Sequence, residues 1–256
     1  MGRVIVIPAR LRSERLPRKL LLDESGWPLI RHTVEQCRRV PGVARVVVAA
    51  DGEEIADAVR QFGGEVVLTD PELRTGTDRV AAACAALGLG VDDPGDATCV
   101  VNVQGDEPEI DPAHVDALFE MLETAEPSTG RSAVVATLAT PRRDSEGFAD
   151  PNRVKVVTDG AGFALYFSRS GIPFPRGDSV PWLCHVGIYG FRPGALHRFS
   201  RTPPTPLERT EKLEQLRFLE LGLSIRVGTV GRAAPGIDTF EDYRAFLARC
   251  RSESAG

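Results

Sequence analysis

Residues 8–19 place Arg10, Arg12, Arg15, Arg18 and Lys19 within ten positions. Guanidinium forks pair two-fold with phosphate oxygens, and a lysine adds a point charge. A charge run of this kind is also compatible with a plain solvated loop. Its place directly after the apolar run Arg3–Ile7 favours a polyphosphate site, because open α/β sheets bind ligands at the carboxyl ends of their strands. Neither a Walker A nor a GxGxxG pattern is present, so P-loop and dinucleotide sites are not indicated. A second loop, Arg74-Thr75-Gly76-Thr77-Asp78-Arg79, combines a glycine that lets backbone approach a ligand with Thr77 as a helix cap. Alone it is only a helix start. A third, Asn102 to Pro108, carries Asp106 just beyond an apolar run. A carboxylate there, near a triphosphate loop, is a magnesium position; the alternative is a turn residue. Asp238 is the second metal candidate, although Asp238-x-x-Glu241 also reads as a capping box.

The second half offers Arg169, His185, Tyr189, Glu208, Glu211, Glu214 and Gln215. Glu211 with Glu214 or Gln215 shares a helix face by i,i+3 and i,i+4 spacing, as a solvated helix side also does. His185 in an apolar strand reads equally as a core histidine. Hydrolase patterns such as G-x-S-x-G and H-E-x-x-H are missing.

These loops need a frame. Strands are expected at Arg3–Ile7, Arg45–Ala50, Glu65–Leu68 and Thr98–Val103. Helices are expected at Pro28–Arg39, after Asp51-Gly52-Glu53-Glu54, at Asp78–Leu87 and at Pro112–Leu122. This alternation makes a mainly parallel Rossmann-like sheet with helices on both faces, a three-layer α/β sandwich. Beyond about residue 130 strands dominate: Ser132–Thr140, Val154–Thr158, Phe163–Phe167 and His185–Phe191. Asp159-Gly160 and Gly162 mark a hairpin. One long helix, Leu207–Leu221, a strand Ile225–Val230 and a helix Thr239–Cys250 follow. Ser170–Pro181 reads as a surface arm and Ser252–Gly256 as a frayed end. The expectation is one domain over residues 1–256, with about 150–205 as a β-rich segment inside it.

Composition excludes several classes. The 256 residues are 42% hydrophobic and 26% charged, which rules out wholesale disorder. Thirty-one basic residues against 36 acidic give a net charge of −5, so an extended cationic surface for nucleic acid is not expected. The longest small-apolar stretch, 80–90, falls short of the ~18–20 residues of a membrane span. No signal sequence is recognisable. Five scattered cysteines without a CxxC pair point to a reducing, cytoplasmic compartment. Only Lys19, Lys155 and Lys212 are lysines, against 28 arginines, as in proteins from GC-rich genomes.

Eight segments stand in order: IPARLRSERLPRK (7–19), TGTDRV (75–80), VVNVQGDEP (100–108), PNRVKVV (151–157), ALYFSRSGIP (164–173), HVGIYGFR (185–192), PLERTEKLEQLR (206–217) and GIDT (236–239). With these motifs in register over nearly the whole chain, the sequence resembles the 3-deoxy-manno-octulosonate cytidylyltransferases, also called CMP-KDO synthetases. Sugar-phosphate uridylyltransferases share a similar basic loop but should lack HVGIYGFR and PLERTEKLEQLR. The resemblance implies transfer of CMP from CTP to an acidic sugar, 3-deoxy-manno-octulosonate (KDO), with release of diphosphate, for lipopolysaccharide synthesis. It implies Mg2+ as cofactor and a homodimer whose interface includes the strands Val154–Phe191. Arg10, Arg15 and Lys19 would hold the β- and γ-phosphates. Thr75, Gly76 and Arg79 would line the nucleotide pocket, with Pro8, Ala9 and Gln104, and the space beside Pro8 and Ala9 would accept cytosine. Asp106 and Asp238 would hold the metal. Gln104, Lys155, Arg169, His185, Tyr189, Glu214 and Gln215 match positions around the acceptor. No residue is an obvious general base, so the metal is expected to acidify the attacking hydroxyl.

Three departures stand out. Arg18 occupies a position that is usually glycine, Arg74 one that is usually small or polar, and Cys184 precedes His185 where an arginine is common. Two extra arginines near the phosphates make a family-related cytidylyltransferase acting on a phosphonate, such as phosphonoformate, or on another acid of secondary metabolism the alternative. A nucleotide-binding regulator without catalysis is disfavoured by the presence of Lys19, Asp106 and Asp238.

Overall fold

The computed structural model describes residues 2–13, 15–89, 98–177 and 181–253. Glu14, the end of the 80–90 stretch, residues 178–180 of the arm and the last three residues lie outside the described residues.

Strand β1 (Arg3–Ala9) is apolar on both sides because both sides are covered. Ile5, Ile7 and Ala9 pack into one core with Ile30, Val34, Ile55 and Val59. Val4 and Val6 pack into another with Val80, Ala83 and Leu216. One layer is therefore α1 (Leu29–Arg38), α2 (Glu53–Gln61) and α4 (Pro112–Glu123). The opposite layer is α3 (Gly76–Ala86), α6 (Pro193–Ser200) and α8 (Gln215–Glu220). The sheet between them runs β3 (Glu65–Leu68), β2 (Val43–Ala50), β1, β4 (Cys99–Asn102), β8 (Trp182–Phe191), β5 (Val135–Arg142), β9 (Ile225–Thr229). The expected parallel core is β3-β2-β1-β4. The later strand β8 then inserts antiparallel between β4 and β5. The expected hairpin is β6 (Lys155–Thr158) with β7 (Ala164–Ser168), and β6 also pairs with β8. Two short helices complete the chain order, α5 (Ser145–Ala149) and α7 (Pro206–Glu211), followed by α9 (Phe240–Glu253).

Four local expectations are corrected. Thr75, not Thr77, caps α3: its Oγ1 accepts from the Asp78 N–H at 3.1 Å. Asp51 does not cap α2; both its carboxylate oxygens accept from the Leu11 N–H at 3.1 Å, which ties down the first loop. The box at 238–241 is shifted by one residue, because Asp242 accepts from Thr239 N–H and Oγ1, both at 2.8 Å, and Asp242 N–H donates to Thr239 Oγ1. That frees the Asp238 carboxylate. The single helix expected at 207–221 is α7 and α8, broken at Lys212, whose φ is 54°. Local propensity favours helix throughout that run, so the break is tertiary in origin. Arg169 Nη2 donates to the Lys212 carbonyl at 3.2 Å, which takes that carbonyl out of a helical ladder.

Candidate active site

A small third core brings the chain ends of the site together. Leu16 of the first loop packs with Leu29, Ile237, Tyr243 and Phe246, so the 236–239 turn is pressed against the 10–19 loop. The Ile237 N–H donates to the Asp106 carbonyl at 2.9 Å. Asp106 and Asp238 thereby face the same ammonium. Lys19 Nζ pairs with Asp106 Oδ2, and lies 2.9 Å from the Ile237 carbonyl and 3.3 Å from Asp238 Oδ1. Arg15 Nη2 closes the other Asp238 oxygen at 2.9 Å. Gly105 allows this approach: a Cβ there would lie 3.2 Å from the Pro8 carbonyl and 3.1 Å from Ile30 Cδ1. The result is a cavity of about 270 Å³ whose wall includes Pro8, Arg10, Arg12, Ser13, Lys19 and Asp106.

The start of α3 forms the next wall. A Cβ on Gly76 would lie 3.7 Å from both the Gln104 amide group and the Pro8 ring. Arg79 is fully buried below it; Nη1 reaches Thr69 Oγ1 and the Asp70 carbonyl, but Nε and Nη2 have no partner. Arg10 Nη2 is buried without a partner as well. Burial first, and then the Arg10 charge, push the Arg79 pKa down. Each orphaned donor costs about 1–3 kcal/mol, so this region is built for polar ligand atoms rather than for itself.

Gln104 and Gly76 also line a second cavity, of about 300 Å³. Asn102 from β4, His185 and Tyr189 from β8, and Glu214 and Gln215 at the start of α8 project into it. Burial pushes the His185 imidazole down to about 3, so the ring is neutral. Burial and the Glu214 charge raise the Tyr189 phenol well above its ordinary value. Burial raises the Glu214 carboxyl, partly offset by hydrogen bonds to Thr77 and Thr75. Asn102 Oδ1 is buried with no donor.

Two residues matched to the acceptor do not present their charges there. Lys155 is completely buried and its ammonium donates to three carbonyls, Asp150 at 2.9 Å, Arg153 at 2.6 Å and Arg169 at 2.6 Å. Its three protons are used. Arg169 donates to the carbonyls of Glu211 at 2.7 Å, Pro151 at 3.0 Å and Lys212 at 3.2 Å. Both are clamps that hold the 150–153 turn and the α7 end against β7. Glu211 belongs to the same clamp, accepting from Ser168 Oγ at 2.7 Å and Arg169 N–H at 3.0 Å. Because the helix breaks at Lys212, Glu211 does not share a face with Glu214 and Gln215.

The extra arginines have separate settings. Arg18 sits at φ 57°, the left-handed region that favours glycine, the residue that the family resemblance leads one to expect at this place. Its guanidinium pairs with Glu54 rather than turning to the phosphate-type cavity. Arg74 lines a groove of about 770 Å³ with Arg201, Arg209 and Lys212, next to the second cavity. Sequence reasoning assigns no site role to Ser13, Asp51, Asn102 or Lys212. Position at a strand's carboxyl end flags Asn102 and Asp51; nothing in sequence flags Lys212.

The donor set suits Mg2+. Two carboxylates meet at one cation, and among the described residues no cluster of three or more His, Cys, Asp or Glu side chains forms. Mg2+ is commonly held by one or two carboxylates, with substrate phosphates and water completing its shell.

A basic cavity with a paired-carboxylate edge meets a second polar cavity at Gln104 and Gly76 on an α/β sheet, an arrangement that fits a nucleotidyltransferase. The cytidylyltransferase family model matches residues 4–225. The 3-deoxy-manno-octulosonate cytidylyltransferase of Chlorobium phaeobacteroides is 44% identical over 94% of each chain. That of Geobacter sulfurreducens is 42% identical over 98% of this chain and 100% of its own. A solved CMP:2-keto-3-deoxy-manno-octonic acid synthetase complexed with CTP superposes with a TM-score of 0.88, at 38% identity, covering 99% of this chain and all of the other. The chain belongs to the 3-deoxy-manno-octulosonate cytidylyltransferase family.

Proposed function

We propose that this protein transfers CMP from CTP to KDO and releases diphosphate. The observation that carries the reading is the junction of two unlike cavities at Gln104 and Gly76. One offers cations, among them Arg10 with an unpartnered guanidinium donor. The other offers the neutral His185 ring, amides, the Glu214 carboxyl and the Lys212 cation, a set suited to an acidic sugar. The relatives' names and the CTP complex of the superposed enzyme support CTP and an acidic sugar as the two substrates.

The reaction joins an acceptor hydroxyl oxygen to the α-phosphorus. The bond from that phosphorus to the bridging oxygen of the diphosphate breaks, and the hydroxyl proton passes to solvent. Positioning and charge stabilisation do most of the work. Arg10, Arg15 and Lys19 take the charge that grows on the leaving diphosphate. Pro8, Ala9, Thr75, Gly76 and Arg79 surround the nucleoside. Gln104, His185, Tyr189, Glu214 and Gln215 orient the sugar. Asp106 and Asp238 would hold Mg2+, which supplies charge screening and acidifies the attacking hydroxyl. Lys155 and Arg169 act behind the cavity as supports.

The protein acts as a homodimer through the β-rich segment, in our reading. Leu165 on β7 is 61% exposed and Phe174 in the arm 83%, large apolar side chains on one outer segment. The thiols of Cys37, Cys84 and Cys184 are free, which supports the cytoplasm as the working compartment. Among the described residues no helix is long and apolar enough to cross a membrane.

Diphosphate release from CTP and Mg2+ tests the reading, with KDO and phosphonoformate as parallel acceptors. Turnover with KDO, and its loss in Asp106→Asn, are expected. Turnover with phosphonoformate alone would transfer the acceptor role to a phosphonate.

A further inference from the structure

We infer that Thr137 sets the tautomer of His185, so that His185 offers Nδ1 as a bare hydrogen-bond acceptor to a hydroxyl of the substrate. This rests on the reading that the second cavity receives the acceptor, and it narrows the substrate class to one that donates hydroxyl protons there.

The argument is a proton count. Thr137 lies in β5 and is fully buried. Its Oγ1 is 2.8 Å from the Ile188 carbonyl, 3.2 Å from the Val186 carbonyl and 3.0 Å from His185 Nε2. A hydroxyl has one proton, and carbonyl oxygens only accept. If the proton went to the imidazole, two carbonyl oxygens would face the hydroxyl lone pairs with nothing between them. The satisfied arrangement has Thr137 donating to the Ile188 carbonyl and accepting from His185 Nε2–H. Nδ1 then carries a lone pair.

The strand geometry makes this a built feature. β5 and β8 pair Thr137 with Tyr189 and then Leu138 with Val186, an irregularity that leaves Gly187 and Ile188 as the extra residues. A bulge of this kind breaks the ladder and re-aims side chains. Here both carbonyls converge on one hydroxyl. The imidazole is also held by aromatic neighbours, Phe167 edge-on with centroids 5.1 Å apart and Tyr189 at 5.3 Å. Nδ1 has no partner among the described residues, and the ring borders the cavity. Asn102 Oδ1 is a second unpartnered acceptor in the same cavity. The two side chains that would have supplied strong cationic donors, Lys155 and Arg169, are committed to carbonyls. Lys212 is the cation left along the cavity wall, and beside it the bare acceptors His185 Nδ1 and Asn102 Oδ1 call for a ligand that donates hydroxyl protons.

The test begins on the unaltered protein. The sequence has four histidines, so long-range 15N–1H spectra with single-histidine variants for assignment can resolve each tautomer. His185 is expected as the Nε2–H form. Thr137→Val removes the accepting oxygen at nearly constant shape, and the Nε2–H preference should be lost; Thr137→Ser should retain it. With CTP and KDO, Thr137→Val should raise the acceptor KM about 3- to 10-fold, the worth of one neutral hydrogen bond, with the CTP KM unchanged. Nδ1–H in the unaltered protein would overturn the inference, as would Nε2–H that persists in Thr137→Val. An equal rise in both KM values would also overturn it, since a general structural defect moves both. A tautomer that follows Thr137 while KDO is not turned over would uphold the Thr137–His185 link and overturn only the acceptor reading.

Discussion

Arg217→Met is the perturbation whose size the structure sets most directly. The Arg217 and Glu208 residues are 4% and 7% exposed. Arg217 Nε donates to Glu208 Oε2 at 2.7 Å, and Nη2 pairs with Oε1. Nη1 donates to the carbonyls of Phe199 at 3.2 Å and Thr202 at 3.0 Å, and the guanidinium lies 3.8 Å over the Phe199 ring. Methionine keeps the stem but leaves a buried carboxylate and two carbonyls behind. Breaking one side of a buried pair costs about 3–5 kcal/mol. At about 2–4 °C per kcal/mol for a chain of this size, Tm should fall by roughly 6–20 °C. Urea unfolding followed by tryptophan fluorescence reads the same loss. Adding Glu208→Gln should recover most of it, because a neutral buried pair needs no counter-charge. About 1 kcal/mol should remain lost, since the Phe199 and Thr202 carbonyls stay without the Arg217 donor, while a glutamine at 208 still accepts from the Thr205 N–H in the α7 capping box. Because the pair brackets the 212–215 turn, the acceptor KM should rise while the CTP KM holds. A loss below about 1 kcal/mol in Arg217→Met, or a double variant as unstable as the two losses added, would refute the account.

Two smaller predictions concern Arg18 and His185. Arg18→Gly relieves a left-handed backbone worth about 1–2 kcal/mol, loosens the unfolded chain by about 0.5–1 kcal/mol and gives up an exposed pair worth about 0–1 kcal/mol. Thermal unfolding should place it within about 1.5 kcal/mol of the parent, and the CTP KM should stay the same, since Arg18 pairs with Glu54. The folded His185 titrates near 3 and the unfolded one near 6.5. Between those values the unfolded chain binds the extra proton, so this group's contribution makes stability climb as pH rises from about 3 to 6.5. Its ceiling is about 1.4 kcal/mol per pH unit, and His185→Phe should flatten that part of a urea-midpoint profile.

The parallel core was legible because burial on both faces writes itself as continuous apolar runs, as in Arg3–Ile7 and Thr98–Val103. The insertion of β8 between β4 and β5 was not, since nothing local in Trp182–Phe191 names its neighbours. Nor was α6, a short helix that opens on Pro193-Gly194 and depends on packing Leu196 and Phe199 into the second core. In the site, residue type and strand-end position pointed to Arg10, Lys19 and Asp106. They could not say which charges were already spent. Lys155 and Arg169 look like ligand-binding cations in sequence, and only the folded chain shows three carbonyls around each. The break at Lys212 is similar: a helix-favouring run yields to the clamp on its carbonyl, and the break turns Glu214 and Gln215 into the cavity.

Lys19 occupies an instructive place in this arrangement. Its ammonium keeps Asp106 and Asp238 together, with the Ile237 carbonyl as a third oxygen. A divalent ion that uses both carboxylates must first displace that ammonium, which then becomes available to a phosphate. Lys19→Gln removes the competitor and leaves Asp106 and Asp238 without their shared ammonium, with Arg15 still paired to Asp238. Without metal the variant should be less stable than the parent, because like charges lose their shared partner. With Mg2+ it should gain more than the parent, since an ion that binds only the folded state stabilises by RT ln(1 + [L]/Kd), and Kd is lower when no ammonium is displaced. A thermal-shift titration with MgCl2, with equal ionic strength held by KCl, measures the difference without substrates or turnover. An equal or smaller Mg2+ gain in Lys19→Gln would mean that the ion binds away from the Asp106–Asp238 pair, and the assignment of those carboxylates would fall with it.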